Sequence, residues 1–448
     1  MNLGVIGAGY VGLTTAICLA SLNHTMTIFE ISKERIQHIK NKKIPFYEEG
    51  LQELLEKTIS FDKLRVADNV DQLVKNTDGC FICVGTPNKN NSIDLSQIIE
   101  SIKSVANSIK NNKKNNYVII IRSTVIPTTT RHKIFPVLKE ILGKHDFGLC
   151  VVPEFLREGK ALDDFMNPGK IIIGSVDEKS KLFVNNIFDN FKNKVIINTN
   201  PETAELIKYT SNSFFSLLIS FSNEIANISE KIPGVDSYEV LRALIHDKRI
   251  MTIANGKKIT PNLTSYLLPG CGFGGSCLPK DVQAIFQYAS SNEIKTPLLN
   301  AILEINDERP NKIISLAESI LGILKEKKIS ILGLTFKPDT DDIRSSPAIS
   351  AIKIFQEKGA RISAYDPMIS KKNSQETKNF DFSLCTTLEE CLQSSELAIL
   401  FTKWSEFSSI DGNLLKKYMK NPIIIDGRGF LDKNNFEENS YYKLGYVK

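Results

Sequence analysis

Short apolar runs alternate with helical segments through most of this chain. It opens with "MNLGVIGAGYVGLTTAICLASLNHTMTIFEIS": an apolar run, a glycine turn, an apolar helix, then a second run ending at Glu30. Further strands are predicted at "GCFICVG" (79–85), "YVIIIRST" (117–124), "FGLCVVP" (147–153) and "KIIIGS" (170–175), with helical stretches such as "LSQIIESIKSVANSIK" between them. Strand and helix in alternation predict a parallel sheet wound on both faces. The alternation stops at "TAELIKYTSNSFFSLLISFSNEIANISEKI" (203–232), which has neither Pro nor Gly and predicts one long helix. From about residue 328 the first pattern returns: "KISILGLTF" as strand, "PAISAIKIFQEKG" as helix, "RISAYDP" as a strand ending at Asp366, then "LAILFTKW" and "PIIIDGRGF".

The first turn carries Gly7-x-Gly9-x-x-Gly12 at a strand-to-helix junction. Gly7 permits the tight turn, Gly9 lets backbone approach a pyrophosphate, and Gly12 lets the helix pack close to the strand. The helix start offers free N–H groups to phosphate. Glu30, 18 positions past Gly12, is placed to accept from a ribose diol and to repel a 2′-phosphate, which favours NAD over NADP. Ligands of such sheets sit at the carboxyl ends of strands, so Thr86, Ser123, Thr124, Glu154 and Glu158 are expected around one crevice. Cys80 and Cys83 lie inside an apolar strand, where positions three apart face opposite sides, and are read as core. The second half has only Gly333 at its turn and should not hold a dinucleotide in the same way. Its loop "FKPDTDDIRSSP" offers Lys337 and Arg344, cations that suit phosphate or, equally, a solvated surface.

At roughly 150 residues per domain, 448 residues allow two or three domains. Hydrophobic residues make up 42% and charged residues 24%, as in an ordinary globular protein. A formal charge of +5 is too small at this length to argue for nucleic acid, and "KNNKKNN" (110–116) reads as a solvated loop. No membrane span is expected: the apolar first 22 residues lack a basic start and are broken by Gly7, Gly9 and Gly12. Eight cysteines without a framework spacing, and no convincing secretory signal, point to reduced thiols in the cytoplasm. No metal site is expected.

One cysteine stands apart. "GFGGSCLPKD" (272–281) places Cys277 after a glycine run and before Lys280 and Asp281, which packing alone does not require. Lys208 and Asn212, four apart on the long predicted helix, share a face. By itself that pair reads most simply as a solvated Lys and a surface Asn.

Taken together, "GVIGAGYVG", "FICVGTP", "RSTVIP", "PEFLREG", "AELIKYTSN", "GFGGSCLPKD", "GLTFKPDTDDIR" and "IIDGRGF" resemble, in order and from end to end, the UDP-glucose/GDP-mannose dehydrogenase family. The resemblance implies an α/β chain: two Rossmann-like doubly wound parallel-sheet domains joined by a long central helix that also builds a homodimer. We place an NAD-binding domain at 1–200, a central helical domain at 201–320 and a nucleotide-sugar-binding domain at 321–448. The implied activity is NAD-dependent oxidation of a nucleotide sugar's C6 alcohol to a carboxylate, with Cys277 as covalent nucleophile, its glycines admitting substrate and Lys280 favouring its thiolate.

The resemblance further implies that Lys208 and Asn212 donate to the C6 oxygen. Asp281 and Thr124 would hold a water, and Glu154 would be the base for hydrolysis. Cofactor contacts would come from Gly7, Gly9, Tyr10, Val11, Gly12, Glu30, Arg35, Thr86, Thr124, Glu158, Lys280 and Arg344. Substrate contacts would come from Glu154, Phe155, Leu156, Arg157, Lys208, Asn212, the stretch Tyr266, Leu267, Leu268, Pro269 and Gly270, and from Gly274, Lys337 and Arg428. Three departures stand out: the insertion at 251–265 after Arg249, Ser345 in place of an acid, and Glu30 in place of the commoner Asp. Arg428 in "IIDGRGF" leans towards UDP-glucose, while "SCLPKDV" and "NLTSYLLPG" lean towards GDP-mannose. A non-catalytic nucleotide-sugar binding protein is the alternative of another class.

Overall fold

The computed structural model describes residues 1–89, 92–191, 194–254, 257–369 and 381–446. The chain divides into two compact units, Met1–Ser211 and Asn212–Lys448. Among the described residues no helix is long and apolar enough to cross a membrane.

In the first unit one sheet holds β1 (Asn2–Ile6), β2 (Thr25–Phe29), β3 (Leu64–Val66), β4 (Gly79–Ile82), β5 (Tyr117–Ile121), β6 (Phe147–Val151), β7 (Lys170–Ser175) and β8 (Val195–Thr199). Their order is β8-β7-β6-β5-β4-β1-β2-β3. β1 to β6 run parallel, and the order reverses between β1 and β4. Ligands of such sheets bind outside the carboxyl ends at that switch. Apolar clusters cover both faces, one including Leu3, Val5, Leu13 and Phe81, the other Ile6, Ile82, Ile119 and Ile121. Cys83 belongs to the first cluster and Cys80 to the second. Burial pushes both thiols up to about 12, so they pack as small apolar groups.

One edge departs from the all-parallel expectation: β7 runs antiparallel to β6, and β8 parallel to β7. The helix in the β6–β7 connection, Ala161–Met166, has six residues and is roughly 9 Å long. The five-residue strand β6 spans about 17 Å. The 152–169 connection returns to the same end of the sheet, and β7 enters from the end at which β6 left.

The long predicted helix is present as α2 (Pro201–Ser229), following α1 (Tyr10–Ser21). The second unit adds α3 (Leu278–Ser291) and α4 (Pro297–Leu321). Its sheet holds β9 (Lys328–Leu332), β10 (Arg361–Tyr365), β11 (Ser383–Leu384), β12 (Leu397–Leu400), β13 (Ile424–Asp426) and β14 (Tyr441–Lys443) in the order β11-β10-β9-β12-β13-β14. All its pairings are parallel. Within the 251–265 insertion, Thr252–Ala254 pairs antiparallel with Lys257–Ile259; Asn255 and Gly256 lie outside the described residues.

The two sheets repeat one turn and use it differently. Gly7 (φ +91°) and Gly333 (φ +90°) each follow the first strand of the main parallel sheet in their unit. Their N–H groups donate to the last residue of the next strand, Phe29 at 2.9 Å and Tyr365 at 2.8 Å. The following acid accepts the next amide: Ala8 donates to Glu30 at 2.7 Å, Leu334 to Asp366 at 2.8 Å. Asp366 also takes the amides of Thr335, Met368 and Ile369, the Thr335 hydroxyl and the Trp404 indole. With its two oxygens so occupied it holds loops together and keeps little capacity for a ribose. That agrees with the missing second and third glycines at this turn.

Candidate active site

The three glycines of the first turn have three different reasons. A Cβ on Gly7 would stand 2.9 Å from the Cys83 carbonyl, in a left-handed conformation. A Cβ on Gly12 would stand 1.9 Å from the Gly7 carbonyl, so α1 could not pack where it does. At Gly9 nothing lies within 4 Å of the added atom: the protein itself does not require glycine there, whereas a close-lying phosphate would. Gly9 caps α1 without a side-chain hydrogen bond, which leaves first-turn amides for an anion. Glu30 accepts from Ala8 and, at 2.8 Å, from the Ser32 amide, with Arg35 3.7 Å away. Two carboxylate oxygens have about four acceptor sites, so a ribose diol still fits. These residues suit a dinucleotide. Tyr10, at the start of α1, donates its phenol to Glu48, a residue that no sequence pattern singled out.

Further along the same sheet edge, Glu154 follows β6 and Thr124 follows β5. The solvated reading of Lys208 fails: its ammonium is buried and binds Glu154 Oε1 at 2.8 Å, 5.5 Å from the Phe155 ring centre. The Leu156 amide donates to Glu154 Oε2 at 2.7 Å. Burial alone pushes the Glu154 carboxyl up; the Lys208 charge and hydrogen bond, the Leu156 amide and Arg122 outweigh it and hold it below the usual carboxylate range. Arg122 was overlooked, although an Arg closing "YVIII" was a visible signal. It is buried, donating to the Thr15 hydroxyl at 2.9 Å and the Val152 carbonyl at 3.3 Å. Glu205, one turn before Lys208, accepts the amides of Thr128 (2.6 Å) and Thr130 (2.8 Å) and so fixes the turn that follows Thr124. Thr128 sits at φ +77°, an unfavourable conformation for a β-branched residue that this buried carboxylate holds in place. Thr86 and Ser123 are buried at the ends of their strands, Ser123 donating to the Val84 carbonyl at 2.7 Å. Arg157 pairs with Asp164 at 2.6 Å.

In the second unit, seven cysteines' worth of contrast singles out Cys277: it is half-exposed, while Cys271, Cys385 and Cys391 here and Cys18, Cys80, Cys83 and Cys150 in the first unit are buried. It caps α3, whose positive end favours negative charge on sulfur. Ser276 Oγ is 3.5 Å from the sulfur. Lys280, three residues after Cys277, binds Asp281 Oδ1 through its ammonium at 2.6 Å. Asp281 is buried, and its other oxygen accepts Asn212 at 2.6 Å. Asn212, too, is therefore buried rather than a surface residue.

The glycines before Cys277 meet protein. Gly272 (φ +98°) and Gly275 (φ +83°) need left-handed backbone. A Cβ on Gly274 would lie 2.3 Å from the Ser345 carbonyl, and one on Gly275 2.8 Å from the Phe336 ring. The Gly275 amide donates to the Arg344 carbonyl at 2.9 Å. Their immediate use is to let the 336–345 loop lie against the cysteine turn.

The stretch 266–270 is held by the long helix and its neighbours. The Gly270 amide donates to Asn223 (2.8 Å), its carbonyl accepts Arg309 (2.9 Å), and the Pro269 carbonyl accepts the Tyr238 phenol (2.9 Å). Tyr266 stacks on Phe215 at 4.8 Å; Leu267 is buried and Leu268 half-buried. Arg428 donates to the Phe401 carbonyl (2.6 Å) and the Gly272 carbonyl (3.2 Å). Exposed Arg344 pairs with Asp342 at 2.7 Å, Arg249 with Asp247 at 2.8 Å, and Lys337 lies 5.9 Å from the Phe336 ring centre. Among the described residues no group of three or more His, Cys, Asp or Glu could hold a metal ion.

A dinucleotide turn in one unit and a half-exposed cysteine at a helix start in the other suit an NAD-dependent dehydrogenase. Models of the UDP-glucose/GDP-mannose dehydrogenase family match the NAD binding domain over residues 1–192, the central domain over 202–308 and the UDP binding domain over 330–433. The UDP-glucose 6-dehydrogenase of Rickettsia bellii is 37% identical over 454 residues, covering 99% of either chain. The solved UDP-glucose dehydrogenase of Pyrobaculum islandicum is 30% identical with a TM-score of 0.90, covering 100% of this chain and 98% of that one. The UDP-D-ManNAc dehydrogenase of Pyrococcus horikoshii is 28% identical with a TM-score of 0.85, covering 99% of each. The chain belongs to the UDP-glucose/GDP-mannose dehydrogenase family and is an NAD-dependent oxidoreductase.

The Glu154–Lys208 pair makes a pH-dependent prediction. In the wild type the depressed Glu154 carboxyl contributes stability above the unfolded pKa of about 4.3, and loses it as pH falls through the lower folded value. In Lys208→Met, burial is opposed only by Leu156 and Arg122, so the carboxyl shifts upward and its contribution falls as pH rises. The stability gap between wild type and variant should be largest near neutrality, about 3 kcal/mol, and shrink towards pH 4.5. Denaturant unfolding at several pH values checks this; a gap independent of pH would show that Lys208 does not hold the charge on Glu154.

Proposed function

We propose that the protein oxidises UDP-glucose to UDP-glucuronate, two NAD being reduced per turnover, through a covalent bond to Cys277. One observation carries the reading: the half-exposed cysteine lies at a helix start, beside a buried Asp281 that is hydrogen-bonded to Asn212. NAD, when bound, accepts a hydride from the sugar carbon in each of two oxidations. The Cys277 thiolate adds to the aldehyde formed midway, and the thiohemiacetal prevents its escape. The second oxidation leaves a thioester. Water adds to it, the C–S bond breaks, and the carboxylate leaves while the thiolate is restored.

Lys208 and Asn212 donate to the C6 oxygen and stabilise its alkoxide and tetrahedral forms. Asp281 holds the water that takes the alcohol proton. Glu154 is the base for hydrolysis, a role supported by its being held ionised. Glu30 selects NAD; Lys337 and Arg428 serve the diphosphate and sugar, and the 266–270 stretch the nucleotide. The choice of UDP-glucose is supported by the names of the relatives and by the UDP binding domain model. The fold itself is shared with an enzyme named for another sugar.

Homodimerisation through α2 belongs to the same reading. Phe214, Phe221 and Ile228 recur every seven residues on that helix and are exposed, an apolar stripe suited to a second copy. Light scattering should give twice the 50.2 kDa chain mass; Phe221→Glu should return it to the chain mass, and a monomeric wild type would refute the assignment.

Four enzymatic outcomes are expected. NADH formation across a panel of nucleotide sugars should be highest with UDP-glucose, and kcat/KM with NADP should be about tenfold to a hundredfold lower than with NAD. Preference for GDP-mannose would overturn the sugar assignment, and equal use of NADP the role of Glu30. Cys277→Ser should bind NAD normally and form no acid. Glu154→Gln should release up to two NADH per site in a burst, then turn over about 100-fold more slowly, with an adduct persisting on Cys277 in intact-protein mass spectra. A slow variant that carries no adduct would remove Glu154 from hydrolysis.

A further inference from the structure

"NKKIPFYEEG" (41–50) connects two helices of the first unit, Lys33–Lys40 and Leu51–Ser60. Of its two adjacent acids, Glu49 is exposed and Glu48 only 3% exposed. A buried carboxylate must be matched by donors, and those of Glu48 come from two distant parts of the unit. Oε1 accepts the Ala161 amide at 2.7 Å. Oε2 accepts the Gly159 amide at 2.8 Å and the Tyr10 phenol. The phenol in turn receives the Gly159 amide at 3.2 Å, and its ring lies 4.8 Å from Phe46 on the Glu48 loop.

These partners place Glu48 between two functional segments. Tyr10 is the first residue of α1 and follows Gly9. Gly159 and Ala161 close the loop that begins at Glu154 and contains Phe155, Leu156, Arg157 and Glu158. Burial, then the Glu48 hydrogen bond and charge, push the Tyr10 phenol far above its ordinary value, so it stays a donor at any working pH. Gly159, at φ +75°, is the residue whose amide reaches both Glu48 and Tyr10.

We propose that Glu48 is a positioning residue for NAD binding: its one carboxylate locks the 154–161 loop to the first turn of α1, so that the amides after Gly9 and the loop residue Glu158 are presented together. The inference rests on the assignment of the pyrophosphate to the Gly7–Gly12 turn. All three of these hydrogen bonds to Glu48 end on a carboxylate oxygen, and none belongs to the sheet ladder. Loss of the carboxylate therefore frees the loop relative to the helix start while the strands stay packed.

Glu48→Gln tests this. The amide keeps the shape but has a single acceptor oxygen, and its NH2 must face either the Ala161 amide or the Gly159 and Tyr10 donors. The Kd for NAD, by fluorescence titration of the full chain without sugar, should rise about tenfold. The KM for the nucleotide sugar at saturating NAD should rise less than the NAD Kd, because Glu154 at the far end of the loop keeps its own anchors, Lys208 and the Leu156 amide. Tyr10→Phe should raise the NAD Kd less, and the double variant should match Glu48→Gln, because both changes break one clamp. A lowered Tm with an unchanged NAD Kd would mean that Glu48 only supports the fold, and overturns the proposal. If Glu48→Gln does not fold, Tyr10→Phe decides: a rise of about threefold supports the clamp and an unchanged Kd overturns it. Gly9→Val separates the two levels of the argument. Lost NAD binding there beside an unchanged Kd in Glu48→Gln removes only the clamp, whereas unchanged binding in Gly9→Val removes the site on which the clamp depends.

Discussion

A parallel strand that ends leaves backbone N–H groups without sheet partners, and this protein meets that constraint with buried carboxylates. Glu30 takes the amides of Ala8 and Ser32. Glu154 takes that of Leu156, and Glu205 those of Thr128 and Thr130. In the second unit Asp366 gathers four amides, a hydroxyl and an indole, and Asp426 the amides of Arg428, Phe430 and Leu431. A hydrogen bond to a charged acceptor contributes about 1.5–3 kcal/mol, and a buried donor left unpaired costs a comparable amount. The loops at the carboxyl ends are thus fixed by side chains, which is what a site built from loops requires.

How each carboxylate is satisfied decides what it can do. Asp366, with both oxygens taken, is confined to structure. Glu30 keeps acceptor capacity at the edge of the dinucleotide turn. Glu154 is balanced mainly by an ammonium, Lys208, and a counter-charge on a flexible stem can exchange partners in a way that a backbone amide cannot. Glu205 shows the opposite tension: burial pushes it up to about 7 in spite of the Thr130 and Thr128 bonds that lower it.

The cysteines follow the same logic of placement. Burial pushes the thiols of Cys18, Cys80 and Cys83 up to about 12, which suits them to packing. Cys277 has the same chemistry at a helix start, beside a turn that Gly274 and Gly275 allow to fold tightly against the 336–345 loop.

Local spacing alone determined the central strands, the dinucleotide turn, the long helix and the distinction of Cys277, because helix and strand periods and left-handed turns are properties of neighbouring residues; it did not mark the edge strands Leu64–Val66, Val195–Thr199, Ser383–Leu384 and Tyr441–Lys443. The position of Glu154 after a strand and of Asp281 beside Cys277 marked them as candidates, but their roles, and any role for Lys208 and Asn212, came only from the family resemblance. Other features were out of reach. The reversal of β7 depends on the path that the 152–169 connection takes over the sheet end. The glycines at 272–275 looked like access for substrate; their neighbours Ser345 and Phe336 come from about 60 to 70 residues away in sequence. Glu48 is one of two adjacent acids in a polar loop, and nothing local separates it from Glu49. Only folding brings Tyr10, Gly159 and Ala161 around it, because buried charge is matched by donors that are near in space and remote along the chain.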